Sequence, residues 1–502
     1  MLSTFQRYGF YLLLLPVFFV LHGCLQNYGF ITPKEGIELG LVYLAYSLVV
    51  GFIGWLIFRN VGKACLTAFA VMGFYFFFGA LHDFLKARVP HFFSSYSVVL
   101  SAYTLLLVLL VICLKKRNPN LRPLTAFLNV LFVVYLLIDM GSLVSKKLHP
   151  SANKLSVYSF AGNSTYPHCD SCNKPNIYFL LMDEYASPAS LEQDYHYHNT
   201  TLDSFLQARH FSVQTHSRSN YNFTIFSMAS MLNMSYLQGI KNPRAIGVND
   251  YANCEQLILN NEVIKLLGAT GYDIYNYSIF NLAGHPTRIL QSFLPLNTLL
   301  ITEQTLLARV RKDLGWKLAA WYPFKWFWGM DMMVINNNNN TVRGLVEERA
   351  AAPYTNPRFV YAHFYMPHAP FYYNNKHIRS IVDLTHENDL KPLSSYLNYL
   401  PHVNACIMEM ILSIQQNDSR AVIVLMGDHG FRQSTKEVFP ARFFKNLNAV
   451  YFPDKDYHLL YDSISAVNQF RVVFNKLFHQ GWPLLKDSSV MISEQGNPGA
   501  MN

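Results

Sequence analysis

Asp183 and Glu184 close one apolar run, Asn176-Ile-Tyr-Phe-Leu-Leu-Met-Asp-Glu-Tyr-Ala186, and Asp428 and His429 close a second, Ala421-Val-Ile-Val-Leu-Met-Gly-Asp-His-Gly430. Carboxylate oxygens combined with an imidazole nitrogen form a ligand set for one divalent metal such as Zn²⁺ or Mn²⁺. Thr224 opens the helical-looking stretch Thr224-Ile-Phe-Ser-Met-Ala-Ser-Met-Leu232, where unpaired N–H groups and the helix dipole favour an anion. An ordinary capping threonine would fit the same position. His368 stands between two prolines in Met366-Pro-His-Ala-Pro-Phe371, and His363 lies inside the preceding apolar stretch, where a core histidine is the simpler reading. A threonine hydroxyl is a weak nucleophile at neutral pH. A bound metal lowers its pKa and neutralises charge on a phosphoryl group, so Asp183, Glu184, Thr224, His368, Asp428 and His429 together suit metal-assisted covalent phosphoryl transfer.

Such residues have to be delivered to one place. Unbroken apolar runs of strand length fit strands covered on both faces of a parallel sheet, whose carboxyl ends are where ligands bind in open α/β folds. The glycines beside Asp428 and His429 suggest a sharp turn. Strand-like and helix-like stretches alternate through the rest: a helix over Cys254–Leu267, a strand over Gly271–Ser278, a helix over Thr302–Lys312, a strand over Arg358–Tyr365, helical sequence over Leu390–Gln416, a strand over Asn446–Phe452 and a helix over Ile464–Phe478. Alternation of this kind predicts an α/β domain with a mainly parallel central sheet over residues 175–480. The asparagine run Asn336–Asn340 reads as a surface loop. Four tryptophans mixed with lysines between Trp316 and Trp328 suit either a bilayer headgroup zone or a packed helix. Residues 145–174 read as a linker and 481–502 as a loose polar tail.

The front of the chain is different in kind. Five apolar stretches, Tyr8–Leu25, Leu39–Phe58, Ala64–Phe84, Ser97–Leu114 and Leu124–Leu143, approach the ~20 residues that cross a bilayer. They predict a five-span α-helical membrane domain over residues 1–144. Alternate loops hold seven basic residues (Arg7, Arg59, Lys63, Lys115, Lys116, Arg117, Arg122) against three (Lys34, Lys86, Arg88). The first set is therefore cytoplasmic, and everything after the last span lies outside the cytoplasm. Of the formal net charge of +9, the first 150 residues carry +8. The basic balance thus belongs to membrane topology, which argues against nucleic acid as a partner. Cys169-Asp-Ser-Cys172 is a single C-x-x-C, better read in an exported domain as a local disulfide than as zinc.

Four motifs, Leu-Leu-Met-Asp-Glu ending at Glu184, Asn-Phe-Thr-Ile-Phe-Ser ending at Ser227, Met-Pro-His-Ala-Pro-Phe ending at Phe371 and Met-Gly-Asp-His-Gly ending at Gly430, stand in that order behind the apolar spans. In this the chain resembles the alkaline phosphatase and sulfatase superfamily, in particular its five-span membrane branch of lipoteichoic acid synthases and lipid A phosphoethanolamine transferases. The resemblance runs over about Pro175–Phe478. It implies Asp183 or Glu184, Asp428 and His429 as metal ligands, Thr224 as nucleophile and further ligand, His368 in contact with the transferred or leaving group, and His363 as a second such histidine. It also implies a phospholipid donor, a cell-envelope glycan or lipid acceptor, and a place in a bacterial inner membrane with the catalytic domain in the periplasm. Sulfatases need a cysteine or serine followed by Pro and Arg at the nucleophile. Here Thr224 is followed by Ile225, Phe226, Ser227 and Met228, so sulfate-ester cleavage is not expected. A phosphodiester hydrolase with the same site is one alternative, and a non-catalytic membrane receptor or scaffold is another.

Overall fold

The computed structural model describes residues 6–148, 155–157, 172–240, 242–289, 298–319, 324–375, 377–380, 392–432 and 441–493. The chain divides into two compact units, one of residues 1–152 with 292–318 and the other of residues 153–291 with 319–502.

The first unit is helical. Helices α1 (Tyr11–Gln26), α2 (Pro33–Phe58), α3 (Val61–Arg88), α4 (Tyr96–Lys116) and α5 (Arg122–Leu148) carry the apolar stretches. Four of them, α2 to α5, are long and apolar enough to cross a membrane. The fifth, α1, has 16 residues, or about 24 Å at 1.5 Å per residue, short of the ~30 Å hydrocarbon core. Among the described residues, the five expected apolar stretches thus appear as four helices of spanning length and one shorter apolar helix. Helix α4 leaves Leu105, Leu106 and Leu109 exposed, as a lipid-facing surface would. α1 packs against α2, α3 and α5 through Tyr11, Leu12, Leu15, Phe19, Leu39, Tyr43, Met72, Phe76 and Phe132. Polar groups in this core are matched. Asn129 accepts from Tyr11 N at 2.7 Å and donates to Tyr8 O at 2.8 Å, satisfying backbone that a helix start leaves unpaired. The described residues 298–318 were expected in the α/β domain but cluster here. Ile301 joins the helical core, Gly79 N donates to Gln304 O at 2.8 Å, and Arg309 grips Asp83 with two bonds of 3.1 and 2.7 Å.

Among the described residues, the second unit is built on a six-stranded sheet. Its strands are β1 (Ile177–Met182), β2 (Ser212–Val213), β3 (Asp273–Tyr277), β4 (Arg358–Phe364), β7 (Val422–Gly427) and β8 (Asn448–Tyr451), with β5 (Tyr373–Asn374) and β6 (His377–Ile378) forming a separate small hairpin. The sheet order is β2-β8-β7-β1-β4-β3. β1 pairs in parallel with both β4 and β7, and β3 with β4, while β8 runs antiparallel to β7 and β2. The α/β class with a mainly parallel sheet holds. Every residue of β1 and β7 is buried. Alternate side chains feed two cores, with Tyr178, Leu180 and Met182 on one face and Ile177, Phe179 and Leu181 on the other. This is the reason neither strand shows polar alternation. Truncating one of these side chains to alanine would cost about 2–5 kcal/mol.

Helix α6 (Thr224–Leu232) covers one face with α10 (Ala466–Phe478), and the long helices α8 (Phe324–Ala351) and α9 (Pro392–Asn417) lie with the other core; α7 (Leu306–Ala319) precedes α8. The asparagine run is not a loop. Asn336–Asn340 lies within α8, with Asn336 and Asn339 buried, and Asn339 Oδ1 accepts Tyr365 N at 2.8 Å. The side chains of the tryptophan-rich segment from Trp316 to Trp328 lie outside the described residues. The tail is not loose up to residue 493. Val490 bridges to Tyr221, and Ile492 exchanges bonds with the Asn222 side chain at 2.9 and 3.1 Å. Within the presumed linker, Ser156 bridges to Gln238. Cys172 is disulfide-bonded; Cys169 lies outside the described residues.

Candidate active site

The in-register parallel pairing Met182↔Gly427 and Met182↔Phe364 brings the carboxyl ends of β1, β4 and β7 level. The residues just beyond the three strands therefore meet at one spot. Asp183, Asp428 and His429 present ligand atoms that all lie within 4.8 Å of one another, and all three residues are buried. His429 Nε2 is 3.3 Å from Asp428 Oδ2 and 3.8 Å from Asp183 Oδ1.

Backbone geometry fixes this arrangement. Glu184 has φ +65, a left-handed conformation that non-glycine residues adopt at a cost of order 1 kcal/mol or more. Its N–H donates to Asp428 Oδ1 at 2.9 Å, and its carbonyl accepts the Tyr396 hydroxyl at 3.1 Å. His429 N also donates to Asp428 Oδ1, at 2.9 Å. Oδ1 of Asp428 is thus spent on backbone and Oδ2 is left facing His429. Gly427 and Gly430 owe their identity to close approach rather than to a left-handed turn: a Cβ on Gly427 would collide with the Tyr185 carbonyl oxygen, and one on Gly430 with those of Arg442 and Lys445.

Thr224 stands at the first position of α6, whose N-cap is Phe223 with no side-chain capping bond. Its hydroxyl is not spent on the helix. Thr224 Oγ1 lies 3.3 Å from His429 Nε2. Because His429 Nδ1 bonds the Gly430 carbonyl at 2.9 Å, and a carbonyl only accepts, Nδ1 carries the proton and Nε2 turns its lone pair toward Thr224 and the two aspartates.

Electrostatics agree with a place built for a cation. Burial, followed by the nearby charge of Asp183, pushes the Asp428 carboxyl up to about 6. Burial also opposes the charge of Asp183, but His368, His363 and His429 more than offset it and hold that carboxyl below its ordinary value. Burial, reinforced by Arg432, pulls His429 down to about 3, so its imidazole is neutral at pH 7. Asp183 Oδ1 and Asp428 Oδ2 are buried without a hydrogen-bond partner, an arrangement costing about 1–3 kcal/mol per group or more when charged. Two orphaned carboxylate oxygens beside an imidazole lone pair fit a divalent metal.

The two remaining histidines flank the cluster differently. His363, on β4, is buried with Nε2 3.8 Å from Asp183 Oδ2 and no hydrogen bond to either ring nitrogen. It faces the site rather than serving only as core. His368 follows β4 in a loop with cis peptide bonds at Met366–Pro367 and Ala369–Pro370. Its Nδ1 donates to Ala369 O at 2.7 Å, leaving Nε2 3.9 Å from Glu184 Oε2. Burial lowers its pKa, but Asp183 and then Glu184 outweigh burial and raise it. Glu184 itself lies outside the three-residue ligand cluster. Its Oε1 accepts Arg432 N at 2.8 Å, which places its carboxylate between Arg432 and His368 rather than with Asp183.

Two residues were not anticipated. Arg432, buried three positions after His429, donates from Nη1 to Asn222 O at 2.8 Å; an arginine so soon after Asp-His was the available signal. Ser227, one turn along α6 from Thr224, donates to the Asp428 carbonyl at 2.6 Å and ties the helix to the strand end.

Residues 302–472 match the family described as Sulfatase. The matched stretch contains His363, His368, Asp428 and His429 and leaves Asp183, Glu184 and Thr224 outside it. None of the curated proteins matches the chain. Among solved structures, the chain is similar to the C-terminal periplasmic domain of EcEptC from Escherichia coli, with 13% identity, 66% of this chain and 92% of that one covered, and a TM-score of 0.38. It is also similar to the integral membrane protein lipooligosaccharide phosphoethanolamine transferase A from Neisseria meningitidis, with 14% identity, 92% and 95% covered and a TM-score of 0.37. At that level of similarity the site's own geometry decides its chemistry.

Proposed function

We propose that this chain is a membrane-anchored, metal-dependent transferase that moves a phospholipid head group, of the phosphoethanolamine or phosphoglycerol type, onto a cell-envelope glycan or lipid through a phosphothreonine intermediate. The catalytic unit works on the periplasmic side of a bacterial inner membrane. The observation that carries this reading is Thr224: a helix-start hydroxyl free of any capping bond, 3.3 Å from the open nitrogen of His429. Asp183, Asp428 and His429 would hold a single divalent ion, Zn²⁺ or Mn²⁺, with Thr224 as fourth ligand. When bound, the ion would lower the hydroxyl pKa and neutralise charge on the phosphoryl oxygens.

In the first half-reaction Thr224 loses its proton to solvent and its oxygen attacks phosphorus. The bond from phosphorus to the diacylglycerol oxygen breaks, and that oxygen takes a proton from His368 Nε2. His368 is suited to this because the carboxylates of Asp183 and Glu184 favour its protonated form. In the second half an acceptor hydroxyl gives its proton back to His368 Nε2 and attacks phosphorus, the Thr224–phosphorus bond breaks, and Thr224 Oγ1 regains a proton from solvent. Full-length protein reconstituted with phosphatidylethanolamine vesicles and Zn²⁺ or Mn²⁺ should release diacylglycerol. Without acceptor, release should stop at about one diacylglycerol per protein, as a covalent intermediate requires; continued release only when a glycan or lipid acceptor is added supports transfer, and steady release of phosphoethanolamine without acceptor would assign the site to hydrolysis. No diacylglycerol from any donor phospholipid would overturn the reading.

A further inference from the structure

The hydroxyl at Thr224 can serve as a nucleophile only if the residues just before it are held still, because α6 begins there and the preceding stretch, from Ser217 to Phe223, is irregular apart from isolated bridges. Asn222 is held from both sides. Its carbonyl receives Arg432 Nη1 at 2.8 Å, and its side-chain amide exchanges two bonds with the Ile492 backbone at 2.9 and 3.1 Å. The Arg432 guanidinium lies over the Phe223 ring, 4.9 Å from its centroid. The backbone of Arg432 is pinned in turn, its N–H donating to Glu184 Oε1 at 2.8 Å, with Nε 3.8 Å from that same oxygen. One arginine therefore touches the strand end after β1, its own strand end after β7, and the two residues immediately preceding Thr224.

We propose that Arg432 is a positioning residue: it clamps Asn222 and Phe223 so that the Thr224 hydroxyl is set against the ligands carried by β1 and β7. This rests on the reading of Thr224 as nucleophile. The planar fork matters more than the charge. A lysine at this position keeps a cation beside Glu184 but offers a point donor that cannot bond the Asn222 carbonyl and cover the Phe223 ring at once. A displacement of about 1 Å in a reacting group costs about 100-fold in rate.

The test compares full-length wild type, Arg432→Lys, Phe223→Ala and Thr224→Ala in phosphatidylethanolamine vesicles, with bound metal measured in each. For Arg432→Lys the clamp predicts kcat down about 100-fold with KM and metal content unchanged. Phe223→Ala, which changes no charged group, should lower kcat about tenfold with the same pattern, and it carries the test if the lysine variant fails to fold. A folded variant of either kind with wild-type kcat overturns the clamp, as does a rise in KM at constant kcat, which would mean direct substrate contact. The control separates the two readings: if Thr224→Ala keeps its turnover, the phosphothreonine mechanism fails, whereas an inactive Thr224→Ala beside fully active Arg432→Lys and Phe223→Ala removes the clamp alone.

Discussion

Thr224 Oγ1 and His429 Nε2 approach to 3.3 Å across 205 residues of sequence. The contact joins the start of a helix on one face of the sheet to the end of strand β7. Since Thr224 makes no capping bond, Thr224→Ala should leave the melting temperature nearly unchanged, in contrast to the ~1 kcal/mol that loss of a true cap costs. The same variant should abolish diacylglycerol release, and Thr224→Ser should retain part of it. Thermal melts and turnover on the same samples check both halves.

Metal affinity should depend steeply on pH. With the Asp428 carboxyl pushed up to about 6 in the metal-free protein, a cation binding below that pH must displace a proton, and above it need not. Affinity therefore falls as pH drops through about 6, and proton release on binding grows in the same direction. Titration calorimetry with Zn²⁺ at pH 5.5 and 7.5, in two buffers of different ionisation enthalpy, measures the release. Asp428→Ala should bind no ion at either pH, and equal metal content in that variant would remove Asp428 from the ligand set.

Glu184 is predicted to act on His368 rather than on the metal. Glu184→Gln keeps an oxygen for Arg432 N but removes a negative charge 3.9 Å from His368 Nε2. The neighbouring carboxylates raise the His368 pKa, so losing one lowers it. The alkaline limb of the kcat/KM profile should then move to lower pH, because the general acid is deprotonated sooner. Metal content should stay the same; its loss would return Glu184 to the ligand set.

Ser227→Ala removes the donor to the Asp428 carbonyl and should cost about 0.5–1.5 kcal/mol, or more if that carbonyl stays unpaired. Activity of the folded protein should fall only modestly, since the serine holds backbone and not substrate. Denaturant melts read the first effect and turnover the second.

Much of the site was legible because the sheet makes it so. Apolar strands buried on both faces announce themselves as unbroken runs, and in a parallel sheet their carboxyl ends are level, so Asp183, Asp428 and His429 could be grouped before any fold was seen. What escaped was what depends on tertiary contact or on a single dihedral angle. Glu184 follows Asp183 directly, yet its left-handed backbone sends its carboxylate to Arg432, and no spacing rule separates two adjacent acids. The asparagine run looked like a loop because its side chains are polar; burial of Asn339 against Tyr365 N supplied the partner that sequence could not show. Gln304 and Arg309 read as part of the α/β domain, and only their contacts with Gly79 and Asp83 place them in the helical unit. The bond from Ser227 to the Asp428 carbonyl depends on the rotation of α6 about its axis, which is set by packing and not by sequence spacing.

The covalent step is the centre of the account. Wild-type protein loaded with Zn²⁺ or Mn²⁺, mixed with a phospholipid carrying a labelled head group and quenched without acceptor, should yield one peptide, spanning Thr224, that carries the head-group phosphate. Mass spectrometry locates it. Label on Thr224, absent from the Thr224→Ala protein, is the predicted result; label on Ser227 or any other residue, or turnover with no labelled residue, would contradict the mechanism.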